Sequence, residues 1–158
     1  MNRRYSLKTG NIGQSTCPKA GCREGGTKSV VIPNQQESGR PIHILVVEDE
    51  PLIRAVLAEY LRDKGFIVVE AVNGDDAFAY VCSNQPVDLV FTDIQMPGSI
   101  DGIELVRKLR GFLPSLPIIV TSGAVGPESI DEQASFIAKP YRQENAVSLV
   151  CSTLGLNS

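Results

Sequence analysis

Five short apolar runs recur between residues 42 and 139, with helix-spaced segments between them, and that alternation confines the chain to a layered α/β architecture. The runs are 42–47, 66–71, 87–93, 117–122 and 135–139. The third is the most telling. Val87-Asp88-Leu89-Val90-Phe91-Thr92-Asp93 is rich in β-branched and aromatic residues and leads into Met96-Pro97-Gly98, so it reads as a strand buried on both faces and closed by a turn. It delivers one carboxylate, Asp93, to its carboxyl end.

The intervening segments carry helical signals. Pro51 suits a helical first turn, and Leu52, Ile53, Val56, Leu57, Tyr60 and Leu61 recur at three- and four-residue spacing before Gly65, with Arg54, Glu59, Arg62 and Asp63 off that stripe, predicting an amphipathic helix. Ala77, Phe78 and Val81 mark a second helix, from about Asp75 to Cys82. Ile103, Leu105, Val106 and Leu109 mark a third over 102–113, and Ala146, Val147, Leu149, Val150 and Leu154 mark the last over 143–154. Strands alternating with helices pair in parallel through right-handed crossovers, so the expected fold is a (βα)5 doubly wound parallel sheet with helices on both faces. The flavodoxin-like strand order 2-1-3-4-5 is a common solution for five such units.

Charge divides the chain. Residues 1–40 hold seven cations against Glu24 and Glu37, a net of +5, which leaves −8 for the other 118 residues given the whole-chain value of −3. An acidic body excludes nucleic-acid binding by the folded part, since phosphate neutralisation needs clustered Lys and Arg. The glycine-rich, polar stretch 1–40 lacks any sustained apolar period and is expected to be a disordered basic extension, with the folded domain over 41–158. No apolar stretch approaches the roughly 20 residues of a membrane helix, and no apolar segment follows the basic amino terminus, so the expected location is the cytoplasm, with no membrane contact and free thiols. Cys17 and Cys22 form a pair with no second pair beside it, and the single histidine, His43, is remote, so four zinc ligands do not assemble.

The strand ends carry the chemistry. Glu48 and Asp49 follow the first strand, Asp93 ends the third, Thr121 and Ser122 end the fourth, and Lys139 follows the fifth. In a doubly wound sheet these ends lie together. Crowded carboxylates repel one another unless a cation joins them, and a hard divalent ion with oxygen ligands, Mg²⁺ above all with Mn²⁺ as the alternative, meets that need. Lys139 and Thr121 add a positive charge and a hydroxyl donor for an anion beside the metal. With Asp93 as nucleophile, the set is that of a phosphoryl-transfer site.

Four motifs in order, Ile44-Leu45-Val46-Val47-Glu48-Asp49-Glu50, Asp88-Leu89-Val90-Phe91-Thr92-Asp93-Ile94-Gln95-Met96-Pro97-Gly98, Val120-Thr121-Ser122-Gly123 and Lys139-Pro140-Tyr141, make residues 42–154 resemble the receiver domain of bacterial two-component response regulators. The resemblance implies that Asp93 accepts a phosphoryl group from a phosphohistidine on a sensor histidine kinase or histidine phosphotransfer protein. It also implies that Asp49, Asp93 and the Gln95 backbone carbonyl hold Mg²⁺ with Glu48 reaching it through water, that Lys139 contacts the phosphoryl group, and that Thr121 and Phe136 form the switch pair. On this reading the chain is a phosphoacceptor that catalyses only its own phosphorylation and dephosphorylation. The expectation that goes with it is a stand-alone receiver, monomeric or weakly dimeric, acting on a protein target.

Two departures from the family pattern stand out. The loop Ser99-Ile100-Asp101-Gly102 is one residue longer than the commoner form, and 124–134 is short for a fourth helix, with Gly126-Pro127 inside it. Three rivals compete. A haloacid-dehalogenase-like phosphatase wants a second Asp where Gln95 stands. A flavin binder wants a phosphate-cradling loop where Glu48-Asp49-Glu50 would repel it. A degenerate receiver acting only as a binding module would have no use for the intact set of Asp49, Asp93, Thr121 and Lys139.

Overall fold

The computed structural model describes residues 39–124 and 131–156. Residues 1–38 of the extension expected over 1–40, and most of the expected short fourth helix, at 125–130, lie outside the described residues. In chain order the elements are β1 (His43–Val47), α1 (Pro51–Asp63), β2 (Ile67–Ala71), α2 (Gly74–Cys82), β3 (Leu89–Asp93), α3 (Gly102–Phe112), β4 (Ile118–Ser122), β5 (Ser135–Ala138) and α4 (Gln143–Thr153). All strand pairs are parallel and the order is β2-β1-β3-β4-β5, the doubly wound arrangement expected from the alternation.

Local signals place the helix ends. Pro51 occupies the first turn of α1, and Gly65, at φ +89°, turns the chain toward β2 with its amide donating to the Arg62 carbonyl at 2.8 Å. The Asn73 side chain caps α2 by accepting from the Asp76 amide at 2.7 Å, and Asp101 caps α3 by accepting from the Glu104 amide at 2.8 Å.

The period of two along each strand splits the core in two. Ile44, Val46, Phe91 and Ile119 face α1 and α4, packing with Leu57, Leu61, Val147, Val150 and Cys151. Leu45, Val47, Val90, Ile118 and Val120 face α2 and α3, packing with Ala77, Val81, Leu105 and Leu109. Each fully buried Leu or Ile contributes about 1.5–3 kcal/mol of transfer free energy. β1, β3 and β4, covered on both sides, supply most of that burial.

Only part of the apolar stripe of α1 meets the sheet. Leu57, Ala58 and Leu61 are buried, but Leu52 is 70% exposed and Val56 42% exposed. At 3.6 residues per turn these two lie on the side of the helix away from Ala58 and Leu61, so they border solvent rather than the sheet.

At the opposite end of the strands, Arg40, placed by composition with the extension, binds Asp88 through both guanidinium Nη atoms, and Asp88 also accepts from the His43 amide at 2.8 Å. The start of the domain is thereby tied to the chain entering β3.

Candidate functional site

The parallel register explains why the strand ends converge. Asp93 lies beside Thr121, and Thr121 beside Ile137, two residues before Lys139. Counting in twos, Val46 to Glu48, Phe91 to Asp93, Ile119 to Thr121 and Ile137 to Lys139 all continue the face that packs on α1 and α4. The backbone ladder runs past the strands to hold these residues: Glu48 donates to Ala71 at 3.2 Å, Ile94 to Thr121 at 3.0 Å and Lys139 to Ser122 at 2.8 Å. Phe136, in register with Val120, points to the other face and is half-buried.

Lys139 organises the charges. Its ammonium Nζ donates to Glu48 Oε2 and to Asp93 Oδ2, each at 2.7 Å. Glu48 and Asp93 are buried, at 4% and 6% exposure, whereas Asp49 is exposed. Carboxylate oxygens of all three lie within 4.8 Å of one another. Burial works to lower the Lys139 ammonium, yet the bonds to Asp93 and Glu48 outweigh it and hold it above its ordinary value, so it stays charged. Burial likewise holds the Glu48 carboxyl above the usual carboxylate range against the pull of Lys139. The Gln95 amide donates to Asp93 Oδ1 at 3.3 Å, which sets that residue's backbone at the rim of the cluster.

Two hydroxyls lie inside this polar rim. Thr121 is 1% exposed, and neither its Oγ1 nor the buried Tyr141 Oη has a hydrogen-bond partner among the described residues. Burial pushes the Tyr141 phenol up to about 12, so it keeps its proton. Its ring leans on Phe91, with centroids 6.0 Å apart. The Lys139–Pro140 peptide is cis.

The description "response regulator receiver domain" matches residues 44–150, most of the chain. The chain belongs to that family. Among its relatives, the transcriptional regulatory protein BaeR of Escherichia coli O6:H1 is 33% identical over 118 residues, covering 70% of this chain and 47% of that one. The nitrogen assimilation regulatory protein NtrX of Azorhizobium caulinodans is 34% identical over 110 residues, covering 66% and 24%. A response regulator receiver protein from Sinorhizobium medicae superposes with a TM-score of 0.69 at 26% identity, covering 73% of this chain and 95% of that one. The receiver domain of the hybrid histidine kinase CckA gives 0.63 at 35% identity, covering 71% and 98%. This chain spans about half or less of the length of the curated relatives it matches.

Within this receiver, the carboxylate cluster suits a divalent ion. Three carboxylates face one ammonium, and Asp49 stands open to solvent where an ion would enter. The long loop beside Asp93 is tied down. Asp75, in the first turn of α2, accepts from the Ser99 amide at 3.1 Å, the Ile100 amide at 3.3 Å and the Ser99 hydroxyl. Gly102 then passes so near the end of β3 that a Cβ there would meet the Asp93 carbonyl oxygen at 2.0 Å, while its amide donates to Ile94 at 2.9 Å.

Sequence reasoning brought together Glu48, Asp49, Asp93, Thr121 and Lys139, and it missed Arg54. That guanidinium donates to the carbonyls of Glu48 at 2.6 Å and Asp49 at 3.4 Å and pairs with Glu70 at 3.5 Å, fixing the acidic loop from below. The available signal was an arginine six residues after Glu48, one turn into the helix that follows the acids. Tyr141 was noted in its motif without a role.

Proposed function

We propose that this receiver is a phosphoacceptor in two-component phosphorelay signalling, taking a phosphoryl group onto Asp93 from a phosphohistidine on a sensor histidine kinase or histidine phosphotransfer protein. The observation that carries the reading is Lys139 bridging Glu48 and Asp93 at 2.7 Å each, with Asp49 alongside. An Asp93 carboxylate oxygen forms the new bond to phosphorus while the phosphorus–nitrogen bond of the donor breaks and the imidazole leaves, so that one acyl phosphate replaces one phosphohistidine. Lys139 already stands at Asp93 Oδ2 and exchanges a carboxylate for a phosphoryl oxygen. Thr121, in register with Asp93 and holding an unused hydroxyl, supplies a donor to a second.

Asp49, Asp93 and the Gln95 backbone carbonyl would hold Mg²⁺, with Glu48 as an outer ligand. When bound, the ion supplies positive charge to the phosphoryl oxygens. The added group brings roughly −1.5 to −2 charges to one point. Drawing Thr121 toward it shifts the end of β4, and Phe136, half-buried against the opposite face of the neighbouring strand, repacks with that shift. The change of shape biases a two-state equilibrium that a protein target reads. No turnover of an external substrate is part of this function.

The docking surface for the donor is the apolar groove of about 430 Å³ formed by Leu52, Ile53, Val56, Pro140 and Tyr141. Lys139 lines this groove and also bonds Asp93, so a protein seated there is brought to the phosphorylation site. Incubation with Mg²⁺ and acetyl phosphate, read by intact mass, tests the reading. One added phosphoryl group is expected on the wild type and none on Asp93→Asn. An unmodified wild type would refute it.

A further inference from the structure

Burying a hydroxyl without a partner costs about 1–3 kcal/mol, and this site holds two such hydroxyls, Thr121 Oγ1 and Tyr141 Oη. The packing explains their proximity. Tyr141 lies across Phe91, which is paired with Ile119 just as Asp93 is paired with Thr121, so the phenol stands on the same sheet face as both. The Thr121 hydroxyl lies near enough to pull the phenol's pKa down against the dominant upward push of burial, although the pair does not meet hydrogen-bond geometry. Phe136 has no hydroxyl and faces the other side of the sheet, so it cannot serve in this role.

We propose that Tyr141 is a positioning residue for Thr121: once Asp93 carries a phosphoryl group, Tyr141 Oη donates to Thr121 Oγ1 while Thr121 donates to a phosphoryl oxygen. The proposal rests on the phosphoacceptor reading. A hydroxyl has one hydrogen to give and two lone pairs to receive with. When Thr121 commits its hydrogen to the phosphoryl group, its lone pairs are left to accept from the buried phenol. A phenol that keeps its proton up to about pH 12 is that donor throughout the physiological range. Each bond in such a chain polarises the next, so the Tyr141 hydroxyl makes Thr121 a stronger donor. In the phosphorylated arrangement both hydroxyls gain a bond of ordinary geometry, which neither makes in the resting one, and this biases the switch toward the former.

The test compares four full-length proteins, wild type, Tyr141→Phe, Thr121→Val and the double variant. Beryllofluoride affinity at saturating Mg²⁺ is read by fluorine NMR, and affinity for Mg²⁺ alone by calorimetry. Both substitutions preserve shape and delete a buried unpartnered hydroxyl, so the variants are expected to fold. Tyr141→Phe is expected to weaken beryllofluoride binding about three- to tenfold, the worth of one hydrogen bond, and to cause no further loss once Thr121 is Val. Its Mg²⁺ affinity is expected to match wild type, because one neutral group replaces another. Undiminished beryllofluoride affinity in Tyr141→Phe, an equal loss in both Thr121 backgrounds, or a parallel loss of Mg²⁺ affinity would each overturn the proposal. A wild type that takes no beryllofluoride would instead overturn the phosphoacceptor reading, and the positioning role with it.

Discussion

Gly102 lies directly beneath the end of the phosphoacceptor strand: a Cβ at this position would stand 2.0 Å from the Asp93 carbonyl oxygen and 2.6 Å from Ile94 Cα. Both are backbone atoms, which cannot move aside as a side-chain tip can. Gly102→Ala is therefore expected to cost about 3 kcal/mol or more, the upper end of overpacking penalties, in urea denaturation. Gly111, near the other end of α3, meets nothing within 4 Å. Gly111→Ala is expected to be neutral or to stabilise by up to about 1 kcal/mol through helix propensity.

Asp88 links acid stability to the base of the sheet. Burial opposes its ionisation, but the Arg40 guanidinium and the His43 amide outweigh it and hold the carboxyl below its ordinary range. A carboxyl lowered in the folded state stabilises the fold above its unfolded value, near 3.9, and that contribution disappears as pH falls through the lower folded value. Asp88→Asn is expected to lower the urea midpoint at pH 7 and to approach the wild type below about pH 4. Parallel curves for the two proteins from pH 7 to pH 3 would contradict the assignment.

The donor groove predicts a separation of two labelling routes. Leu52 is 70% exposed and borders Lys139 and Pro140, yet no contact places it in the carboxylate cluster. Leu52→Glu is expected to reduce phosphotransfer from a phosphorylated histidine phosphotransfer protein at least tenfold, a loss of about 1.4 kcal/mol in docking. Labelling by acetyl phosphate is expected to be unchanged. Equal loss by both routes would place the effect in the site rather than the groove.

Much of this architecture is legible in the residues because it depends on short periods. Strand alternation alone puts Glu48, Asp93, Thr121 and Lys139 on one face and Phe136 on the other. The doubly wound order then brings their ends together. What periodicity does not decide is how wide an arc of α1 the sheet covers: Leu52 and Val56 share the apolar stripe with Leu57 and Leu61 yet line a surface groove. Arg54 escaped because a charged residue off the apolar stripe resembles a solvated one. Its targets are carbonyls of the acidic loop, which carry no sequence identity. The partnering of Asp75 with Ser99, across 24 positions, is equally invisible to spacing.

That last contact governs the loop that is one residue longer than the common family form. Asp75 gathers the Ser99 hydroxyl and the amides of Ser99 and Ile100, and these bonds, led by the Ser99 hydroxyl, hold its carboxyl below the ordinary range. Asp75→Ala is expected to speed amide hydrogen exchange at Ser99 and Ile100, with β1 and β4 amides unchanged. Unaltered exchange in the loop would show that other contacts hold it.

The central claim is that Asp93, among three clustered carboxylates, is the one that captures phosphorus. Wild-type protein labelled with acetyl phosphate and Mg²⁺, then reduced with borohydride and mapped by peptide mass, reports the position directly, because reduction of an aspartyl phosphate leaves homoserine. Homoserine at position 93 alone is the expected result; homoserine at position 49, or none in the peptide containing residue 93, would contradict the account.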